Sequence, residues 1–308
     1  MLITDDFVLA LDRPGPLSFI SHAHSDHAGF KKRRVVASQE TATLLGVETE
    51  TPPRGVELIN AGHMLGAKQL YYEGDGFSLI YSGDISLRPG LTHPPIEFKQ
   101  TDILIMETTY GAPAYVFDPA EEERLIKWTT KQLDMGFSVV IGCNALGKAQ
   151  ELIKLFNNEG ILPVLSRRIE QHSRVYTQLG VKLEWKPPEN RAFVALVERQ
   201  ALKRDWVYEL SRAYNRRFKP AFATGLVKRF RFFGERFAIS DHADFNELLT
   251  YVEHIQPRLV LTTMGFAAEF RNELRARGFA AEVYRRPVNR WISAEKGRPN
   301  ASKTAPTA

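Results

Sequence analysis

The chain contains one cysteine, Cys143, so no intrachain disulfide framework can form. It also lacks any apolar run approaching the roughly 20 residues that span a bilayer, which excludes a transmembrane-helix reading. The first stretch, MLITDDFVLALD, is acidic, with neither a basic n-region nor a small-residue cleavage site. The expectation is therefore a cytoplasmic protein with no secretory signal and no membrane partner. No internal repeat is visible. Core-forming residues are not scarce: 44% of the 308 residues are hydrophobic and 25% charged, ordinary for a globular fold of one large or two interleaved domains.

Acid is slightly outnumbered. Lys and Arg total 41 against 36 Asp and Glu, a net charge of +5. That excess alone is a weak signal of an anionic partner. Its clustering says more: Lys31 to Arg34, Arg167-Arg168, Arg216-Arg217, Lys228-Arg229 with Arg231, and Arg285-Arg286. Any one cluster reads as a solvated loop or helix end; together they suit phosphate contacts.

The first third reads as short strands whose loops carry His and Asp: FVLAL, LSFIS, VELINAG, QLYYEG, FSLIYSGD and ILIMET. From Asp118 the pattern changes. Asp118 as N-cap, Pro119 at N1 and three following glutamates predict a helix to about Met135, closed by Gly136. Strands FSVVIG, ILPVLS, VKLEW, FVALVE and PAFATG then alternate with helices KAQELIKLFNN, RIEQHSRVYTQL and one through Trp206 and Leu210, which implies a parallel α/β unit. RFAIS, NELLTYVEHI, RLVLTT, AEFRNELRAR and AAEVYRR close the fold. Residues 293–308 are polar, small and proline-containing, and are expected to be a disordered tail.

The most informative stretch is His22-Ala23-His24-Ser25-Asp26-His27, which puts four candidate metal ligands in six residues after the strand LSFIS. A tight loop at a strand end can aim them at one point, and imidazole with carboxylate suits Zn²⁺ or Mn²⁺. The alternate pair His22 and His24 can grip one ion while Asp26 and His27 turn to a second. His63, among small residues in AGHMLG, and Asp84, at the end of FSLIYSGD, follow in the order that completes such a centre.

In sequence this resembles the metallo-β-lactamase fold: Asp12, then HAHSDH, then His63, then Asp84. The likeness covers nearly the whole chain and sharpens to the β-CASP nucleases. Glu107 stands in Glu107-Thr108-Thr109-Tyr110-Gly111, matching E-[ST]-T-Y-G. Residues 145–151, ALGKAQE, match the opening of the family's inserted cap. His242 stands in Ser240-Asp241-His242-Ala243-Asp244, matching S-x-H-[AT]-D. The wording around Cys143 to Gln150, and Ala223-Thr224-Gly225 through SDHADF, looks most like ligase-associated DNA exonucleases. Archaeal RNA-processing relatives and RNase J match less well.

The resemblance implies an α/β fold, an αββα metallo-β-lactamase sandwich with an inserted α/β β-CASP cap. It divides the chain into residues 1–111 and 226–292 for the sandwich and 112–225 for the cap. It implies one or two divalent ions, Zn or Mn, held by His22, His24, His63, Asp26, His27 and Asp84, the last bridging. Asp12 would orient the histidine loop. His242 would protonate the leaving oxygen or contact the phosphate, with Glu107 on its other nitrogen; Asp26 joins these as a catalytic group. Candidate nucleic-acid contacts are Lys148, Thr224, Arg229 and Arg231. For Lys148 a solvent-exposed helix lysine is an equal alternative. The alternation of Arg229, Arg231 and Arg236 with Phe230, Phe232, Phe233 and Phe237 suits base stacking, or a strand with one buried face.

One departure matters. The family usually ends on a histidine that completes the second ion's site, and here Met264 stands in its place. A thioether is a poor ligand for an ion held by oxygen and nitrogen. Relatives resembling Artemis and Apollo also lack that histidine, which tilts the reading toward DNA. The implied function is a metal-dependent phosphodiesterase, a DNA exonuclease in DNA repair acting on single-stranded or end-containing DNA alongside a DNA ligase or helicase system. The alternatives are an RNA-processing nuclease of the same group, a small-molecule metallo-hydrolase, and a catalytically weak binding subunit. His93, His172 and His254 read as structural, and Cys143 as packed rather than nucleophilic.

Overall fold

The computed structural model describes residues 1–4, 6–29, 34–228 and 233–284. The expected tail, Arg229 and Arg231, and the basic runs at 31–33 and 285–286 lie outside the described residues.

Strand periodicity builds a sandwich. A four-stranded sheet runs in chain order through Leu2–Ile3, Val8–Leu11, Leu17–Phe19 and Val35–Val36; its first pair is antiparallel and the rest parallel. A six-stranded sheet has the order Ala281–Val283, Leu259–Thr263, Ile103–Glu107, Phe77–Tyr81, Lys68–Gly74, Val56–Asn60, parallel as far as Phe77–Tyr81 and antiparallel beyond. Alternate side chains of a strand face opposite ways. Leu70, Tyr72, Leu79, Tyr81 and Ile105 therefore meet Leu9, Leu11 and Phe19 of the smaller sheet in one buried cluster. Their neighbours Tyr71, Ile80, Leu104 and Met106 point to the other face, against the helices Phe245–Ile255 and Ala267–Ala276. Each such fully buried large side chain contributes roughly 1.5–3 kcal/mol over exposure. The outer face of the smaller sheet packs Ile20, Val35 and Ala37 against Leu45 of the helix Gln39–Leu45. The layers are helix, sheet, sheet, helix, as the αββα expectation has it.

A third sheet of five parallel strands forms from the middle of the chain, in the order Val164–Leu165, Val194–Glu198, Ser138–Cys143, Phe218–Ala223, Glu235–Phe237. Val139, Ile141 and Cys143 bury one face with the helices Lys148–Asn158 and Arg167–Gln178. Val140 and Phe222 bury the other, with Val207 of the helix Arg204–Ala213.

Three local expectations fail, each for a physical reason. The helix expected from Asp118 begins at Glu121, because the Asp118 side chain accepts from Ala120 N–H in a tight turn rather than capping a helix. VKLEW forms no strand; Glu184 N–H is taken by the Asn157 side chain of a helix. Of the Arg/Phe alternation, only Glu235–Phe237 is strand among the described residues, and it adds to the third sheet.

Candidate metal centre

The residues of the centre lie at or just past strand ends, except Asp26 and His27, which sit in the helical turn Ser25–Ala28. Asp12 succeeds Val8–Leu11, His22 and His24 succeed Leu17–Phe19, His63 succeeds Val56–Asn60, Asp84 succeeds Phe77–Tyr81, and Glu107 ends Ile103–Glu107. In open sheets with parallel strands, ligands bind beyond the strands' carboxyl ends. Gly83, at φ +55, lets the Asp84 loop lie against Ser21, where a Cβ would sit 2.5 Å from that residue's own.

The histidines are fixed by their outer nitrogens. Ser21 Oγ donates to Asp12 Oδ2 at 2.6 Å, so at 3.0 Å from His22 Nδ1 it accepts. His24 Nε2 donates to Leu146 O at 3.1 Å, and His63 Nδ1 donates to Asp241 O at 2.7 Å. A neutral imidazole carries one proton, so the inner nitrogens of all three present bare lone pairs. These face one another: His22 Nε2 stands 3.0 Å and His63 Nε2 3.3 Å from His24 Nδ1. Asp84 Oδ2 lies 3.4 Å from His22 Nε2 and 3.8 Å from His63 Nε2. Ligand atoms about 2.1 Å from a shared ion stand roughly 3.0–3.4 Å apart at right-angle to tetrahedral geometry. Three lone pairs and a carboxylate converging at that spacing repel unless a cation lies among them, so the donor set fits a divalent metal.

A second group forms beside it. His27 Nδ1 donates to Asp12 Oδ2 at 2.7 Å, leaving the buried His27 Nε2 with no hydrogen-bond partner, 3.3 Å from Asp84 Oδ2 and 3.8 Å from Asp26 Oδ2. Asp84 Oδ1 is likewise buried and unpartnered. Asp26 is the exception among the expected ligands, with its side chain 71% exposed. Asp12 is saturated: it also accepts from Ser21 N–H at 2.7 Å and Tyr81 OH at 2.9 Å.

Asp84, Glu107 and His242 make a third convergence. His242 Nδ1 lies 3.1 Å from each Glu107 oxygen. Glu107 also accepts from Ile85 N–H at 2.7 Å.

Charge follows this geometry. Burial, then the neighbouring His27, holds His22 well below its ordinary value. Burial and His242 push His63 down to about 3. Burial disfavours charge on His27 too, but Asp84 and Asp12 outweigh it and raise it to about 11. At His242 burial is overcome by Glu107 and Asp84, which push it up to about 10. Burial opposes the charge on Asp84, yet His27 and His242 hold it well below the usual carboxylate range.

The third sheet closes over this centre by its own carboxyl ends. Leu146 O reaches His24, and Asp241 O reaches His63, in loops that follow Ser138–Cys143 and Glu235–Phe237. Lys148 is buried, its Nζ 3.5 Å from Asp241 Oδ1, so it is not the solvent-exposed lysine of the alternative reading. Thr224 is engaged locally: its Oγ1 accepts from Leu226 N–H and its N–H donates to Phe237 O. Met264 stands at φ +63 after Leu259–Thr263 and lines a cavity with Asp26 and His27. His93 pairs with Glu151, and His254 with the Thr250 carbonyl; neither they nor His172 joins a ligand set among the described residues. Cys143 is buried and its thiol is pushed up to about 12 by that burial.

Sequence reasoning missed Asp241. Its carbonyl fixes His63, its Oδ1 faces Lys148, and its Oδ2 is buried without a partner. Only its place beside His242 in SDHAD pointed to it. It equally missed Ser21, Tyr81 and the Leu146 carbonyl, which nothing but the folded chain brings to the histidines.

No family model matches the chain. The chain is 32% identical over 307 residues to a "Probable DNA ligase" of Opitutus terrae, covering 87% of this chain and 28% of that protein. An "RNase J-like protein" of Methanocaldococcus jannaschii is 28% identical over 45% of this chain and 42% of its own length. "Endoribonuclease ysh-1" of Neurospora crassa is 28% identical over 51% of this chain and 18% of its own. The chain thus spans less than half of each of these relatives. Among solved structures, a protein of unknown function from Enterococcus faecalis superposes over 88% of this chain and 79% of its own with a TM-score of 0.59; at 13% identity the likeness is one of fold. No helix among the described residues is long and apolar enough to cross a membrane.

Proposed function

We propose that the chain is a member of the β-CASP group of the metallo-β-lactamase superfamily, and on that premise a divalent-metal-dependent nuclease, a DNA exonuclease acting in repair. The observation that carries this reading is the meeting of three bare imidazole nitrogens with Asp84, in a cleft closed by a second α/β unit. We assign residues 1–111 and about 240–284 to the sandwich and 112–239 to the cap, since Glu235–Phe237 adds to the cap's sheet.

His22, His24, His63 and Asp84 would hold the first ion, Zn or Mn. Asp26 and His27 would hold a second, and Asp84, whose Oδ2 lies within 3.8 Å of His22, His63 and His27, would serve both. Such ions supply a nucleophile at neutral pH and offset charge building on the phosphoryl oxygens. Asp12 fixes the His27 tautomer and so the loop that carries four of the ligands. Glu107 keeps a proton on His242 Nδ1. Glu107 beside the ring favours the doubly protonated form of His242, which would offer the Nε2 proton to the leaving oxygen. Lys148 faces Asp241 and acts on the cleft from within; as a phosphate contact it would first have to leave that carboxylate.

The substrate is single-stranded or end-containing DNA. Support comes from the ligase-named relative, whose match covers most of this chain, and from Met264 in place of a histidine. That relative also suggests work beside a DNA ligase. The RNase- and endoribonuclease-named relatives favour RNA as the second reading. Parallel digestion of end-labelled DNA and RNA strands of matched sequence, with Mn²⁺, Zn²⁺ or chelator, decides it. DNA is cut faster, and chelation or Asp84→Ala abolishes cutting. Cutting that survives both sinks the metal mechanism, and faster cutting of RNA sinks the DNA assignment.

A further inference from the structure

Asp12, Asp26, His27 and Tyr81 of the second ion's site line part of a cavity of about 230 Å³, and the rest of its lining is not used by the chemistry above. Leu11, Ile105 and Met264 give it apolar walls, Tyr284 an aromatic ring, and Arg13 a cation. It is smaller than the roughly 300–1,000 Å³ of pockets for drug-sized ligands, so it admits one flat ring system rather than a length of chain. A bare phosphate would have no use for the apolar walls, and an aliphatic chain none for the guanidinium.

Met264 is presented to this cavity deliberately. Its backbone is left-handed at φ +63, a region that few residues other than glycine adopt. The turn is held from outside. Thr108 Oγ1 donates to Met264 O at 2.6 Å, and Thr108 N–H donates to Thr263 O at 2.9 Å. Gly265, at φ +50, lets the turn lie on Thr108, where a Cβ would come within 2.3 Å of the carbonyl oxygen. The side chain so presented stays 39% exposed. A large thioether kept open to solvent by an over-determined strained turn, beside the reacting centre, marks a binding surface.

We propose that this cavity receives the nucleobase of the nucleotide adjoining the phosphate that is cut, with Tyr284 and Met264 against the ring and Arg13 toward the next phosphate. The inference rests on the nuclease reading of the neighbouring site. Tyrosine stacks on any base and a methionine sulfur is polarisable and adaptable, so the contact holds a strand without reading its sequence. Met264 then serves substrate grip where a histidine would have served an ion.

Two measurements test it. The first scans a single abasic position along an end-labelled DNA strand and compares KM for the wild type, Met264→Ala and Tyr284→Ala. Stacking of one base is worth about 1–3 kcal/mol, so in the wild type one abasic position raises KM on the order of tenfold, and in the variants that penalty disappears. The second places 2-aminopurine at that position and follows its fluorescence on binding in chelator, where nothing is cut. The wild type quenches it and Tyr284→Ala does not. A KM that is flat at every abasic position in a wild type that cuts DNA overturns the base pocket alone, as does equal quenching by both proteins. A wild type that cuts no nucleic acid with any metal overturns the nuclease reading, and the pocket with it.

Discussion

Glu107 and His242 lie 135 positions apart in the chain, yet both carboxylate oxygens of the first stand 3.1 Å from Nδ1 of the second. The carboxylate cannot swing away, because Ile85 N–H and Thr109 N–H also hold it. The pair therefore sets a proton on Nδ1 and pushes His242 up to about 10, against the burial that disfavours its charge.

The first prediction follows from that pair. For a group whose folded pKa is raised, the protonated form persists from acid pH until the folded pKa is passed. In the metal-free protein the second proton on His242 is thus held at neutral pH and lost toward pH 10. Glu107→Gln removes the largest stabilising charge and should move the His242 titration down by more than one unit. Nuclear magnetic resonance of the imidazole in chelated protein reads the shift directly. In the loaded protein the alkaline limb of kcat should move the same way, with kcat falling on the order of a hundredfold. An unmoved titration would remove Glu107 from that role.

Asp12 gathers four donors from three residues. Asp12→Ala leaves them without an acceptor and frees the His27 ring to rotate or change tautomer. Groups that orient a ligand typically account for about 10–100-fold in metal affinity, and the loss should fall on the His27 ion. Titration calorimetry with Mn²⁺ would show the weaker step reduced while the tighter one survives. The stranded donors should also cost at least about 2 kcal/mol of stability, visible in urea unfolding.

Gly147 sits at φ +80 and ψ −80, the centre of a γ-turn in which Lys148 N–H donates to Leu146 O. The same carbonyl accepts from His24 Nε2. Gly147→Ala has room for its Cβ, 3.5 Å from His24 Nε2, but the backbone angle is strained for any side chain. The expected result is a loss of about 1–3 kcal/mol in thermal or urea unfolding, with weaker metal binding as Leu146 O leaves His24. Wild-type stability together with wild-type metal affinity would contradict this.

Met264→His should be tolerated, because histidine is among the residues enriched at left-handed positions. It adds an imidazole beside Asp26 and His27 and should tighten the second ion by tenfold or more. Unchanged stoichiometry and affinity in calorimetry would reject it. The same change should raise KM for DNA, since the ring displaces the thioether from the cavity wall.

The sequence by itself carried the candidate ligands His22, His24, His63 and Asp84 that meet in the fold, and its likeness to the metallo-β-lactamase fold carried the αββα architecture. Short apolar runs such as QLYYEG and FSLIY, closed by Gly or Asp, marked strands that the fold buries on both faces, and the loop His22 to His27 carries its meaning within six residues. Both are local: they depend on side-chain direction along one strand or the reach of one loop. What only the tertiary structure decided is which nitrogen of each imidazole is bare. That is set by acceptors such as Leu146 O and Asp241 O, 122 and 178 positions away from the rings they hold. Burial of Lys148 against Asp241, and the capture of Glu235–Phe237 by the cap's sheet, were hidden for the same reason. A hydrogen-bond partner or a sheet neighbour is a property of the folded chain, and no pattern within one segment encodes it.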